Sequence, residues 1–300
     1  MDMVRRIELV LAEALAQVEG PEAPGQLAAA LRHAVFPGGA RIRPRLCLAV
    51  AMACGDDAPE LTNAGAAAIE LLHCASLVHD DLPCFDDADT RRGQASVHKA
   101  FGERIAVLAG DALIVLAFQI VSVHVVEHPQ RCATLLATLA RGVGMPLGIV
   151  AGQAWECESS VDLVHYQRAK TGALFSAATA LGAASAGHRS DAWLDLGRWL
   201  GEAYQVADDI RDVASDAIEL GKPTGQDVAH GRPSAVSALG LGGAVSRFDD
   251  LMQRALQSVP VCEGSTALQA LIRSEARRLI PTHLARPSHA TRRELDTRPA

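Results

Sequence analysis

The segment HDDLPCFDDADTRRG, His79 to Gly93, carries aspartates at 80, 81, 86, 87 and 89, followed by Arg91 and Arg92. Like charges this close repel, so the pattern implies a cation among them. A second segment, YQVADDIRDV, places Asp208, Asp209 and Asp212, and the four-residue spacing of Asp208 and Asp212 puts both on one helix face. Each cluster falls near the C-terminal end of an apolar-periodic helix, the unfavourable end of its dipole for carboxylates. Clustered carboxylates suit a hard divalent cation. Mg2+ takes few of them and completes its shell with water and substrate phosphate oxygens, so two acidic helix ends facing each other across a cavity would hold a diphosphate through metal. An EF-hand loop does not fit. Opened at Asp87, it would put Arg91 and Arg92 at ligand and glycine positions and would lack its closing glutamate.

Basic residues surround this pattern. Arg91 and Arg92 can chelate phosphate or neutralise the neighbouring aspartates. PGGARIRPRL brings Arg41, Arg43 and Arg45 to a helix start, which reads as an ordinary N-terminus or as an anion site. RAKTGALF holds Lys170 and Thr171 before a mid-helix glycine, Gly172, that marks a kink or a close approach. ELGKPTGQD adds Lys222 in a Gly/Pro loop. The glycines of GVGMPLG (142–148) have the wrong spacing for a dinucleotide loop, and no strand precedes them.

The elements that must position these groups are helices. Apolar residues recur at helical spacing through nearly all of the 300 residues, 49% of them hydrophobic, and strand-like alternation is scarce. The fold class is all-α. Helices are expected near 3–18, 24–35, 42–54, 60–81, 104–126, 129–141, 143–158, 162–185, 191–216, 234–239, 243–257 and 264–280. No break resembles a domain linker, so residues 1–280 read as one domain, and 281–300, polar and arginine-rich, as a frayed tail. The run 105–126 approaches membrane-spanning length but contains Asp111, Gln119 and His124, and is expected as a buried central helix without membrane insertion. Net charge is −7, so no general basic field exists to attract nucleic acid. Seven cysteines without a C-x-x-C pair read as buried free thiols in a reducing compartment, and the N-terminus lacks a signal-peptide pattern, which makes the cytoplasm the expected location.

With both aspartate segments in order, and GGARIRP, RRG, KTG and GKPTG interspersed, the chain resembles the trans-isoprenyl diphosphate synthases over roughly residues 5–280. It is most similar to the bacterial geranylgeranyl diphosphate synthases of carotenoid pathways. DDLPCFDD matches the family's first motif in its DDxxxxD form, and the second motif, DDxxD, is Asp208 to Asp212. The resemblance implies an isoprenoid synthase helical bundle around a central cavity, a homodimer, and head-to-tail joining of isopentenyl diphosphate to an allylic diphosphate with three Mg2+, for which Mn2+ could substitute. Asp80, Asp86 and Asp208 would bind metal, supported by Asp81, Asp209 and Asp212. Arg91, Lys170, Thr171, Gln205 and Lys222 would surround the allylic diphosphate; Gly39, Arg43, His73 and Arg92 would hold isopentenyl diphosphate. His73 lies seven residues before Asp80, two turns away on the same helix face.

Two positions depart from the family pattern. Ala40 stands where the family's G-G-K-R-x-R-P has lysine, and Gln226 where lysine is common after Lys222. The growing tail should run down the helix that ends at Asp80. Ser76 and Ala75, about 6–7.5 Å deeper, are small where C15-forming members commonly carry an aromatic; bulk returns at Leu72 and Ile69. A C20 product is therefore expected. A farnesyl (C15) synthase is the nearest alternative, followed by a class I terpene cyclase and a noncatalytic partner subunit.

Overall fold

The computed structural model describes residues 2–36, 38–160, 163–214 and 234–281, the side chains of 163 and 164 excepted. Lys222, Gln226 and the 282–300 stretch lie outside them. The described residues are helical apart from short turns and one two-stranded hairpin. The helices are α1 (Met3–Ala16), α2 (Gly25–Val35), α3 (Ile42–Ala53), α4 (Pro59–Asp80), α5 (Val97–Phe101), α6 (Glu103–Ser122), α7 (Pro129–Val143), α8 (Ile149–Trp155), α9 (Leu163–Gln167), α10 (Ala173–Ser185), α11 (Leu194–Ala214), α12 (Ala235–Gln257) and α13 (Ser265–Ala276). The hairpin pairs β1 (Thr90–Arg91) with β2 (Gln94–Ala95).

Two helices form the centre. α4 opens on Pro59, whose missing N–H costs nothing in a first turn, and is apolar almost all round. It packs on α6, α3, α10 and α1, while α10, alanine-rich and buried along its length, packs on α3, α7 and α11. Small side chains let backbones approach closely. At Gly197 of α11, a Cβ would lie 2.4 Å from the Phe175 carbonyl oxygen and from the Ser176 Cα, positions that a side-chain rotation cannot relieve. Gly197, Gly201, Gln205 and Asp209 follow at four-residue steps, so the face that seats α11 on α10 leads directly to the second aspartate segment. Gly197→Ala is expected to destabilise the fold by about 1–3 kcal/mol through overpacking. A denaturant melt within 0.5 kcal/mol of wild type would contradict this contact.

Several element boundaries differ from expectation. The segment predicted as one helix over 143–158 is helical only from Ile149 to Trp155, because Gly144, Pro146 and Gly148 break its start. The 162–185 stretch is α9 and α10 joined by a π-helical turn, Arg168–Gly172. The helices expected at 234–239 and 243–257 are one element, Ala235–Gln257, kinked at Gly240, where φ is 69°. The hairpin and α5 were not foreseen, each being too short to show a period. α6 is not the buried central helix expected: α4 occupies that place, and α6 leaves Val107, Leu108 and Val115 exposed. α4 and α6 are both long and apolar enough to cross a membrane by length and composition alone, and 78% of the α4 window is buried within the protein. Among the cysteines, Cys47, Cys74 and Cys132 are buried, but Cys84 and Cys157 are exposed. Burial pushes the Cys47 and Cys74 thiols up to about 12, so neither is a reactive thiolate.

Candidate active site

The first aspartate segment begins on the last turn of α4 and folds back over it. The Asp86 amide donates to the Asp80 carbonyl (2.9 Å) and the Ala88 amide to that of Asp81 (3.2 Å). This turn absorbs the two extra residues of the DDxxxxD spacing and brings Asp86 close enough to disfavour ionisation of Asp80. The Asp80 carboxyl is raised above its ordinary range, by burial first, with Lys170 opposing and Asp86 adding. Its Oδ1 accepts from Gln153 (2.8 Å) and lies 3.6 Å from Lys170 Nζ. Asp81 is buried and paired with Arg91, whose Nε lies 3.0 and 3.2 Å from its two oxygens.

The RRG motif is the tip of the β1–β2 hairpin. Arg92 and Gly93 both have positive φ, 54° and 78°, as a type I′ turn requires. Glycine accepts this freely, whereas for Arg92 it costs about 1 kcal/mol or more. The turn sends the two arginines in different directions, Arg91 to Asp81 and Arg92 toward α4 and the loop before α3. Gly39 meets Arg92 there. A Cβ at Gly39 would lie 3.0 Å from Arg92 Nε, so glycine keeps that approach open.

The second aspartate segment closes α11. Asp208 pairs with Arg211 (2.9 Å), and the buried Asp209 accepts from Gln205 Nε2 (3.1 Å) and from the Ala235 amide (2.7 Å) at the start of α12. An aspartate at a helix N-terminus is favourably placed in its dipole field. The π-helical turn joins the two segments. Lys170 reaches Asp80, and the adjacent Thr171 donates to Gln205 Oε1 (3.1 Å), which connects through its amide to Asp209. π-helical turns are rare and recur at functional sites. Here the turn places neighbouring residues against two different acidic helix ends. Lys170 also pairs with Glu156, which accepts in addition from Tyr166 (2.5 Å).

The cations of the GGARIRP loop divide into two kinds. Arg41 is not a phosphate candidate: it is 2% exposed and committed to Glu8 (2.7 Å), Glu70 (2.7 Å) and the Val35 carbonyl (2.8 Å). Burial works against its charge, but the two carboxylates outweigh it and raise its pKa. Arg43 instead stacks on Phe175 (4.8 Å), and burial lowers its pKa. Arg43 Nε and Arg92 Nη1 are buried without a hydrogen-bond acceptor among the described residues. Unsatisfied buried guanidinium donors are costly unless an anion completes them. His73 is half-buried nearby. Burial, then Arg43, Arg92, Arg91 and Arg41, hold its imidazole well below its ordinary 6.5, so it is neutral at pH 7.

That shift has a direction in stability. Below about pH 6.5 the unfolded chain takes up a proton at His73 and the folded chain does not, so stability falls on acidification, by up to about 1.4 kcal/mol per unit from this group. Denaturant melts at pH 7.5, 6.5 and 5.5 should show a steeper loss for wild type than for His73→Gln. Parallel lines would contradict the shift.

Gln153, Glu156 and Glu70 did not emerge from the sequence as site residues. Glu70 carried a signal in hindsight, as a lone carboxylate within the apolar run AAAIELL. Among the described residues no three acidic, histidine or cysteine side chains form a metal cage by themselves. The donor set still fits Mg2+, which is held by one or two carboxylates together with substrate phosphate. A cavity of about 80 Å³ among Ile42, Leu46, Phe175, Tyr204, Met252 and Leu268 has no aspartate in its lining, and its charged lining groups Arg45 and Glu275 pair with each other at 2.8 Å.

Comparison with known proteins identifies the family. The polyprenyl synthetase family pattern matches residues 24–265, most of the chain. The chain belongs to that family. It is 52% identical over 285 residues to the geranylgeranyl diphosphate synthase of Cereibacter sphaeroides, covering 95% of this chain and 99% of that one. Its identity to the geranylgeranyl diphosphate synthase of Rhodobacter capsulatus is 49% over 280 residues, with 93% and 97% covered. A geranyltransferase from Helicobacter pylori, solved with magnesium and isoprenyl diphosphate, superposes with a TM-score of 0.78 at 29% identity, covering 92% of this chain and 96% of that one.

Proposed function

We propose that the chain is a Mg2+-dependent prenyltransferase that joins isopentenyl diphosphate head-to-tail to allylic diphosphates and releases geranylgeranyl diphosphate, the C20 product. The observation that carries this reading is the linkage of two acidic helix ends through Lys170 and Thr171; Arg43 Nε and Arg92 Nη1, buried without an acceptor among the described residues, support it. Asp80, Asp86 and Asp208 would hold Mg2+, expected as three ions with Mn2+ able to substitute, which when bound would supply positive charge against the departing diphosphate. Asp81, Asp209 and Asp212 support these three.

The remaining work falls to the chain's own groups. Lys170, Thr171, Gln205 and Arg91 orient the allylic diphosphate, and Lys222, outside the described residues, is assigned with them. Donors aimed at the leaving oxygens favour ionisation of the allylic C–O bond, because charge develops there in the transition state. Arg43, Arg92, neutral His73 and the backbone at Gly39 hold isopentenyl diphosphate so that its double bond meets the allylic carbon in line. A new C–C bond forms, and the proton lost from the adduct passes to the released diphosphate. No protein nucleophile is needed. Ala40 supplies no charge where the family has lysine, which places more of the isopentenyl subsite on Arg43 and Arg92.

Around α4, Ser76 lies about 40° from Asp80 and Ile69 about 20°, whereas Ala75 lies about 140° away and Leu72 about 80°. Ala75 and Leu72 share the flank of His79, whose ring contacts the Val107 carbonyl of α6 (3.2 Å). Glu70 and Cys74 lie on the opposite flank, toward Arg92. The apolar tail would therefore pass Ser76 on the α6 side, with Leu72 and Ile69 as the floor.

Residues 1–280 are taken as one catalytic unit acting in the cytoplasm, without membrane insertion or nucleic acid, on a route toward carotenoids. The exposed apolar face of α6 supports a homodimer joined there. The deciding experiment incubates the protein with labelled isopentenyl diphosphate, dimethylallyl or farnesyl diphosphate, and Mg2+, then resolves dephosphorylated products by length. C20 product abolished by EDTA is expected. C15 alone would overturn the product assignment, and no elongation from either primer would overturn the activity.

A further inference from the structure

Glu70 is 1% exposed, sits one helical turn before His73, and faces Arg41 and Arg92, with Arg43 within reach of its charge. Its Oε1 accepts from Arg41 Nη1 at 2.7 Å, and Arg92 Nη2 lies 3.9 Å from the same oxygen. The two distances mean different things. At 2.7 Å a guanidinium is hydrogen-bonded; at 3.9 Å it is attracted by charge without giving up a donor to that carboxylate. Arg92 Nη1 is buried with no hydrogen-bond acceptor among the described residues. Arg41 is anchored independently by Glu8 and the Val35 carbonyl, so it fixes Glu70 rather than depending on it. Arg92, held in a left-handed turn, has fewer constraints.

We infer that Glu70 is a positioning residue for the isopentenyl diphosphate subsite: anchored by Arg41, it holds Arg92 electrostatically in place and leaves the arginine's donors for the diphosphate. This rests on the assignment of Arg92 to that subsite. Glu70 itself touches no substrate. A direct hydrogen bond would consume donors that the ligand needs, and a neutral residue would leave the buried cation without a counter-charge. With Ala40 in place of a lysine, the subsite has fewer cations to compensate for a misplaced Arg92.

The test is steady-state kinetics with isopentenyl diphosphate varied at saturating farnesyl diphosphate, and the reverse, on Glu70→Gln, Glu8→Gln, Arg92→Lys and Glu70→Gln/Arg92→Lys, each checked by thermal melting. Glutamine keeps an acceptor for Arg41 while removing the charge facing Arg92. Glu70→Gln is expected to raise KM for isopentenyl diphosphate about tenfold, with kcat changed less than about threefold and the allylic KM unchanged. Glu8→Gln removes a charge from the same Arg41 without facing Arg92, so it should lower the melting temperature and leave that KM within about twofold. The double variant should bind isopentenyl diphosphate no worse than Arg92→Lys, because the two act as a unit. If Arg92→Lys raises this KM and Glu70→Gln does not, the positioning role fails and the subsite assignment stands. An unchanged KM in Arg92→Lys would overturn the subsite assignment and this role with it. Equal shifts in Glu70→Gln and Glu8→Gln would reduce Glu70 to part of the Arg41 scaffold. Should Glu70→Gln not fold, Glu70→Asp keeps the charge but withdraws it from Arg92, and a KM unchanged there would overturn the proposal.

Discussion

Asp80→Asn is expected to cut Mg2+-dependent condensation by about a thousandfold or more while the metal-free protein melts no lower than wild type. The loss follows from removing a carboxylate where charge must be neutralised as the diphosphate leaves. The retained stability follows from the site's own charges. Burial raises the Asp80 carboxyl above its ordinary range, so its ionised form is disfavoured by the fold. An amide of the same shape keeps an oxygen for Gln153, and Lys170 keeps Glu156. Calorimetry supplies the second half of the test: inorganic diphosphate with Mg2+ should raise the wild-type melting temperature and leave Asp80→Asn nearly unmoved, since ligand linkage requires a site that binds. Turnover within tenfold of wild type would remove Asp80 from the metal set.

Ser76→Phe is expected to shift the main product from C20 to C15, with turnover on dimethylallyl diphosphate within about tenfold of wild type. Ser76 is half-buried, close to the face of Asp80, and its hydroxyl is turned back onto the His73 carbonyl (2.8 Å). Its small volume leaves the space beside it to the tail, and a benzyl group would fill that space about 6 Å below the carboxylates. Ala75→Phe is a weaker test. Ala75 is 1% exposed on the α6 flank, so a large side chain there would first cost about 1–3 kcal/mol in overpacking and act on the tail indirectly. Undiminished C20 output from a folded Ser76→Phe would mean that the tail takes another course.

What could be read from the chain was the chemistry that repeats. Two aspartate segments at helix-compatible spacing, with basic residues between them, point to the candidate site, and apolar periodicity suffices for an all-helical fold. What escaped were features without a period. The Arg92–Gly93 turn depends on two consecutive positive φ angles, which no hydrophobic pattern reports. The π-helical turn at Arg168–Gly172 lies inside an otherwise regular helical run; Gly172 hinted at an irregularity but not at its form. Arg41 and Arg43 are indistinguishable by type and separated by one residue, yet one is buried in carboxylates and the other is left without them. Glu8 and Glu70 decide that difference, 33 and 29 residues from Arg41 in sequence.

The candidate site pairs its own charges: Arg91 with Asp81, Lys170 between Asp80 and Glu156, Arg211 with Asp208. On the proposed assignment a lone diphosphate would have to pull these cations away from carboxylates, and a lone divalent ion would have to pull carboxylates away from cations, so either exchange would strand one set of charges. Arriving together they would exchange these partners at once, carboxylates to metal and cations to phosphate. Each ligand would thereby raise the other's affinity, and by linkage the effect would be mutual. Such a site would act as a coincidence gate, answering the complete pair rather than either half.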